Sequence, residues 1–141
     1  MIQKYVFNIP GAPVRVFRSE NEGRQTLDTY LENKIRCRVT IENQYEQNEI
    51  ISTPVEAIFT FFLPKNHKYR QNLVSIVELF RFINQIAEGT IYKKDTLLYR
   101  IEMRKEYSNE PHTEIIIQTI DEIKGGFNEA RKEKKKISKK R

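Results

Sequence analysis

Residues 4 to 9, "KYVFNI", put Tyr5, Phe7 and Ile9 on one side of an extended chain that ends at Pro10-Gly11, the pattern of a first strand. From Thr26 to about Tyr45 the period changes. Leu27, Leu31, Ile35 and Val39 recur every fourth residue, with Thr29 and Glu32 at capping-box spacing, which predicts an amphipathic helix with that line as its apolar face. "PVEAIFTFFL" (54–63) aligns Val55, Ala57, Phe59, Phe61 and Leu63 on one face, with Ile58 and Phe62 on the other, as expected of a central strand. Beyond Pro64 and "KNHKYRQ", Leu73, Ile76, Val77, Phe80, Ile83 and Ala87 form the stripe of a second helix, with Asn72 as its N-cap and Gly89 closing it. "LLYRIEMRKEY" (97–107) alternates like a half-buried strand, and after the turn "SNEP" the run "HTEIIIQTI" is expected to complete a hairpin with it.

Strand, helix, strand, helix, strand, strand is the order of an α+β domain, a mixed sheet with two main helices packed on it. At 141 residues the chain fits one domain that can bury a core without metals or disulfides. The single cysteine, Cys37, lies within the first helical pattern and reads as a structural thiol suited to a reducing compartment. No apolar run approaches membrane-spanning length, so the chain reads as soluble and cytoplasmic, with no membrane partner.

Charge divides the chain in two. Residues 124–141 hold nine basic side chains against Glu129 and Glu133, a local +7 that exceeds the net +6 of the whole and leaves residues 1–123 at −1. Residues 1–123 are therefore the expected domain and 124–141 a basic tail, solvated, flexible or helical, whose work, if any, is salt-sensitive attraction to phosphates.

Several chemistries are disfavoured. Gly125-Gly126 precedes the charged tail instead of joining a strand to an apolar helix, so it is no phosphate loop. His67 and His112 stand alone in turn-like segments without cysteines at ligand spacing. What remains is cationic. Arg15, Arg18 and Arg24 follow the first strand, while Lys65, Lys68, Tyr69 and Arg70 precede the second helix, whose N-terminal N–H groups also favour anions. Two such loops could straddle a nucleic-acid backbone, or they could form an ordinary solvated surface.

The strings "YVFNIPGAPVRVFR", "GRQTLDTYLENKIRCRV", "RQNLVSIVELF", "IYKKDTLL" and "RKEYSNEPHTEIII", in that order over roughly residues 5 to 120, resemble the RusA-like Holliday-junction resolvases, dimeric endonucleases common in phages and prophages. The resemblance implies aspartates that hold magnesium and activate water against a phosphodiester. This chain departs from that pattern. The two aspartates of the family's "DLDN" element fall on Tyr69 or Arg70 and on Gln71, while its Asn and Leu match Asn72 and Leu73. The lysine that follows falls on Ser75, and the downstream aspartate pair falls on Lys94 and Asp95. Glu78 stands near a further acidic position and reads either as a substitute ligand or as a solvated surface residue.

The resemblance thus implies a homodimer that binds branched or duplex DNA, including four-way junctions, through Arg15, Arg18, Arg24, Lys65, Lys68, Arg70 and Lys94, in recombination, repair or phage DNA processing. Gln71, Asn72 and Ser75 mark the remnant of the motif, and cleavage is weak or lost. One alternative is an active divergent nuclease using magnesium on Asp95 and Glu78. Another is a non-catalytic dimeric interaction module.

Overall fold

Every second side chain from residue 55 to residue 63 is apolar, and that alternation builds the centre of the molecule. The computed structural model describes residues 2–15, 27–45, 49–65 and 74–120. They form β1 (Lys4–Pro10), α1 (Leu27–Gln44), β2 (Val55–Pro64), α2 (Ile76–Ala87), a 3-10 turn at Asp95–Leu97, β3 (Leu98–Ser108) and β4 (His112–Thr119). The strands make one mixed sheet in the order β1-β4-β2-β3, so this is a single α+β domain with two helices on a four-stranded sheet. Val55, Ala57, Phe59, Phe61 and Leu63 of β2 are all buried, as are Phe7 and Ile9 of β1 and Ile115 and Ile117 of β4.

The helices cover that face. Phe80 meets Phe59 edge-on with centroids 5.0 Å apart. The two helices touch through Tyr30, whose ring lies 5.6 Å from that of Phe82 and whose hydroxyl donates to Gln85 Oε1 at 3.0 Å. Among the described residues, no helix is long and apolar enough to cross a membrane.

Several expectations from the pattern are corrected. The line Leu27, Leu31, Ile35 and Val39 faces outward, 45% to 63% exposed, while Tyr30, Cys37 and Ile41 face the core. The cause lies at the edge of the sheet. Asn8 of β1 donates its N–H to Gln44 Oε1 at 2.8 Å and accepts from Gln44 Nε2 at 2.7 Å, and Arg36 donates to Pro10 O at 2.8 Å. These bonds satisfy an otherwise bare strand edge and set the rotation of α1 about its axis. Because α1 already includes Leu27, Thr29 lies inside the helix.

The second helix begins later than its stripe implied. Ser75, extended at φ −68° and ψ 128°, is the N-cap of α2, and Asn72 and Leu73 lie outside the described residues. Leu79, Phe82 and Ile86 join Ile83 and Ala87 in the core, whereas Val77 is exposed. Gly89 follows the helix with φ +87°, the left-handed conformation that its position predicted.

β3 and β4 do not form a hairpin. β4 crosses the end of β2 and pairs antiparallel with β1 and β2, while β3 runs parallel to β2 on the other side. Ile115, Ile116 and Ile117 suit β4 to an interior position, and the alternating charges of β3 suit an edge. β3 is correspondingly more exposed than a half-buried strand: only Leu98, Met103 and Ser108 are partly covered.

Burial pushes the Cys37 thiol above its ordinary range and outweighs the opposing pull of the Arg36 charge. Native protein should therefore resist thiol alkylation until it unfolds, as timed labelling with and without denaturant will show. The rotation of α1 has its own test by denaturant unfolding. Ile41→Ala should cost about 2–5 kcal/mol, whereas Ile35→Ala should stay within about 0.5 kcal/mol of wild type.

Candidate nucleic-acid interface

Strand direction decides which loops meet. β1 and β2 both end beside the start of β4, where Pro10 and Phe62 flank His112 in register, and parallel β3 ends beside β2 at Tyr107 and Ser108. The segment after β1, Lys65 after β2, the turn before β4 and the start of α2 therefore gather at one end of the sheet. Spacing across the intervening β4 sets the exits of β1 and β2 roughly 10 Å apart.

Cations collect there. Arg15 ends the described segment after β1 and Lys65 is exposed just past β2. Lys105, paired with Phe61, donates its ammonium to Val74 O at 2.9 Å, immediately before α2. Arg36 of α1 reaches over the same end, with its terminal nitrogen 3.5 Å from where a Cβ on Gly11 would stand. One N–H of Arg36 goes to Pro10 O, but a guanidinium has five, so a fork remains for an incoming anion. Arg36 was not expected in the site, because in sequence it is one of several cations on a helix; only the bond to Pro10 brings it to the sheet end. Glu106 and Glu110 are the acidic residues nearby on β3 and the turn.

At this end the Nδ1–H of His112 donates to Glu110 O at 2.7 Å, and its ring stacks on Phe62 at 4.2 Å. A small cavity lies beneath residues 11–14, lined by Ile9, Cys37, Phe61, Leu79 and Phe82. Its volume of about 10 Å³ holds no more than one water molecule.

The remaining site residues lie elsewhere or outside the described structure. Arg18, Arg24, Lys68, Arg70, Gln71 and Asn72 belong to segments 16–26 and 66–73, outside the described residues, as is the tail from 121 onward. Lys94 and Asp95 sit at the opposite end, beside the start of β3 and past the end of α2. The twelve residues of α2 span roughly 18 Å, so within one chain Asp95 is far from Val74, which stands before the helix.

Asp95 has structural work where it stands. Its Oδ2 accepts from Asn84 Nδ2 at 3.3 Å, its own N–H donates to Glu88 Oε2 at 2.8 Å, and Asn84 Oδ1 in turn accepts from Tyr92 Oη at 2.5 Å. Glu78 is buried in the first turn of α2 instead of solvated. It precedes Asn84 by six residues, about 9 Å along the axis and a third of a turn away, so it does not share a ligand sphere with Asp95. Among the described residues, no group of three or more His, Cys, Asp or Glu side chains could hold a metal ion.

No protein-family model matches the chain, and no curated protein does.

Burial raises the Tyr92 phenol far above its ordinary value of 10.0, and the Asp95 and Glu88 carboxylates add to the shift. The folded state thus favours the neutral phenol. That contribution to stability is complete below about pH 10 and is lost as pH climbs above it. In an absorbance titration Tyr92 should ionise only as the protein unfolds, and Tyr92→Phe should remove this alkaline loss while costing about 1 kcal/mol near neutrality.

Proposed function

We propose that the protein binds DNA, branched or duplex, with the end of the sheet where β1, β2 and β3 finish, and that it has lost efficient cleavage. The observation that carries this reading is that Arg36, bonded to Pro10 O, and Lys105, bonded to Val74 O, stand at the end of the sheet to which Arg15 and Lys65 also lead. These four cations come from two elements, α1 and β3, and from the segments after β1 and β2. They outnumber Glu78, Glu106 and Glu110, the acidic residues described at this end, and the N-terminus of α2 adds its own partial positive charge there.

The resemblance to RusA-like resolvases supports the choice of DNA and of four-way junctions. The replacement of motif aspartates by Tyr69, Arg70 and Gln71, together with the engagement of Asp95 by Asn84 and Glu88, supports binding without hydrolysis. Removing carboxylates from a surface that meets phosphates strengthens backbone attraction. In this reading the protein works on intracellular DNA during recombination or phage DNA processing, and Lys94 is not part of the main contact.

Fluorescence anisotropy with a four-way junction and a matched duplex, titrated over salt, tests the reading. Arg15→Ala and Lys65→Ala should each weaken binding and lower the salt slope by about 1, while Lys94→Ala should leave both near wild type. Cleavage with magnesium or manganese that Asp95→Asn abolishes would overturn it, and so would an affinity indifferent to Arg15 and Lys65.

A further inference from the structure

Both helices pack on one face of the sheet, and among the described residues no helix covers the other. Phe61 and Thr113 line the cavity on the helix side, so their neighbours Phe62 and His112 stand on the uncovered face. The two are partners in register, with Pro10 of β1 beside His112 and Glu106 of β3 beside Phe62. This row crosses the sheet at its cationic end.

The rings of Phe62 and His112 lie nearly parallel, 13° apart in plane with centroids 4.2 Å apart. The His112 ring is held a second time. A carbonyl oxygen only accepts, so the contact with Glu110 O places a proton on Nδ1, and Nε2 has no partner among the described residues. Both side chains are half-buried, so the pair is open to solvent on the uncovered face. Rings fixed in this way have already lost the freedom that a ligand would otherwise have to remove.

A cross-strand stack stabilises a sheet whether or not anything binds to it, so the ligand is identified by the surroundings. Lys65 follows Phe62 by three residues, at most roughly 10 Å of extended chain, and residues 11–15 lead from Pro10 to Arg15. A phosphate backbone held by Lys65 and Arg15 thus passes beside the row. Glu106 repels phosphate at the row itself, so the part of a nucleotide that the row accepts is its uncharged base. In an intact duplex the bases are stacked on one another and closed to such a surface. An unpaired base of any sequence can lie on a ring, because every base has a π-face.

We infer that Phe62 and His112 form a stacking site for an unpaired base, and that the DNA this protein selects carries a single-stranded gap or flap beside a duplex. The inference rests on the proposal that this end of the sheet binds DNA, and it adds which part of the DNA is recognised.

Fluorescence anisotropy with the full chain tests it by comparing a duplex with the same duplex carrying a short single-stranded gap. The gapped DNA should bind about tenfold more tightly. Phe62→Leu and His112→Ala should each bring the ratio of the two affinities close to one, with circular dichroism confirming the fold. Phe62→Trp and His112→Tyr, which keep a ring, should preserve the ratio, whereas Arg15→Ala should weaken both DNAs and leave the ratio in place. A fluorescent adenine analogue in the gap should be quenched by the wild-type chain and not by Phe62→Leu. Equal affinity of the wild-type chain for both DNAs overturns the stacking site and leaves the DNA reading standing. So does a ratio that neither Phe62→Leu nor His112→Ala lowers. Absence of binding to either DNA overturns both.

Discussion

Burial of one face of β2 is the constraint on which the rest of the structure depends. Val55, Ala57, Phe59, Phe61 and Leu63 lie in a strand bonded on both sides, so their backbone groups are satisfied in the sheet while their side chains need cover from above. Both helices answer that need, α2 through Leu79, Phe80, Phe82 and Ile83, and α1 through Tyr30, Cys37 and Ile41. Hydrophobic burial alone leaves α1 a choice of faces, since it carries two apolar lines. The bonds from Gln44 and Arg36 to β1 hold α1 with Tyr30, Cys37 and Ile41 toward the core.

The same sheet sorts the chemistry. With β1, β2 and β3 running one way and β4 the other, the segments after the first three strands share one end, and that end is basic. α2 carries the chain back along β2 to the start of β3, and so it separates Asp95 from the basic end by its own length. The basic end of the sheet and the Asp95 carboxylate are thus kept apart within one chain. Asp95, tied to Asn84 and Glu88 beside the buried Tyr92, closes the turn that starts β3.

Element order, strand positions and the α+β class were legible because alternation and helical period are strong signals in "KYVFNI", "PVEAIFTFFL" and "HTEIIIQTI". Three features were not. The rotation of α1 depends on Gln44 meeting Asn8, thirty-six residues away in the chain. The pairing of β4 with β1 and β2 depends on competition among strands, in which three consecutive isoleucines win an interior place that a short turn alone would have given to a hairpin. Glu78 looked solvated because glutamate is rarely buried, yet the first turn of α2 packs it inward. At the candidate site, Arg15 and Lys65 could be singled out as loop cations, whereas Arg36 and Lys105 gained their places only from folding.

The central claim is where DNA meets the sheet. Backbone chemical-shift mapping of the labelled protein with an unlabelled four-way junction at low salt reads that location residue by residue. The largest changes are expected at residues 11–15, 36, 65, 74–76 and 105–111. Changes concentrated instead at residues 93–97, or none at a junction concentration where the tail alone responds, would contradict it.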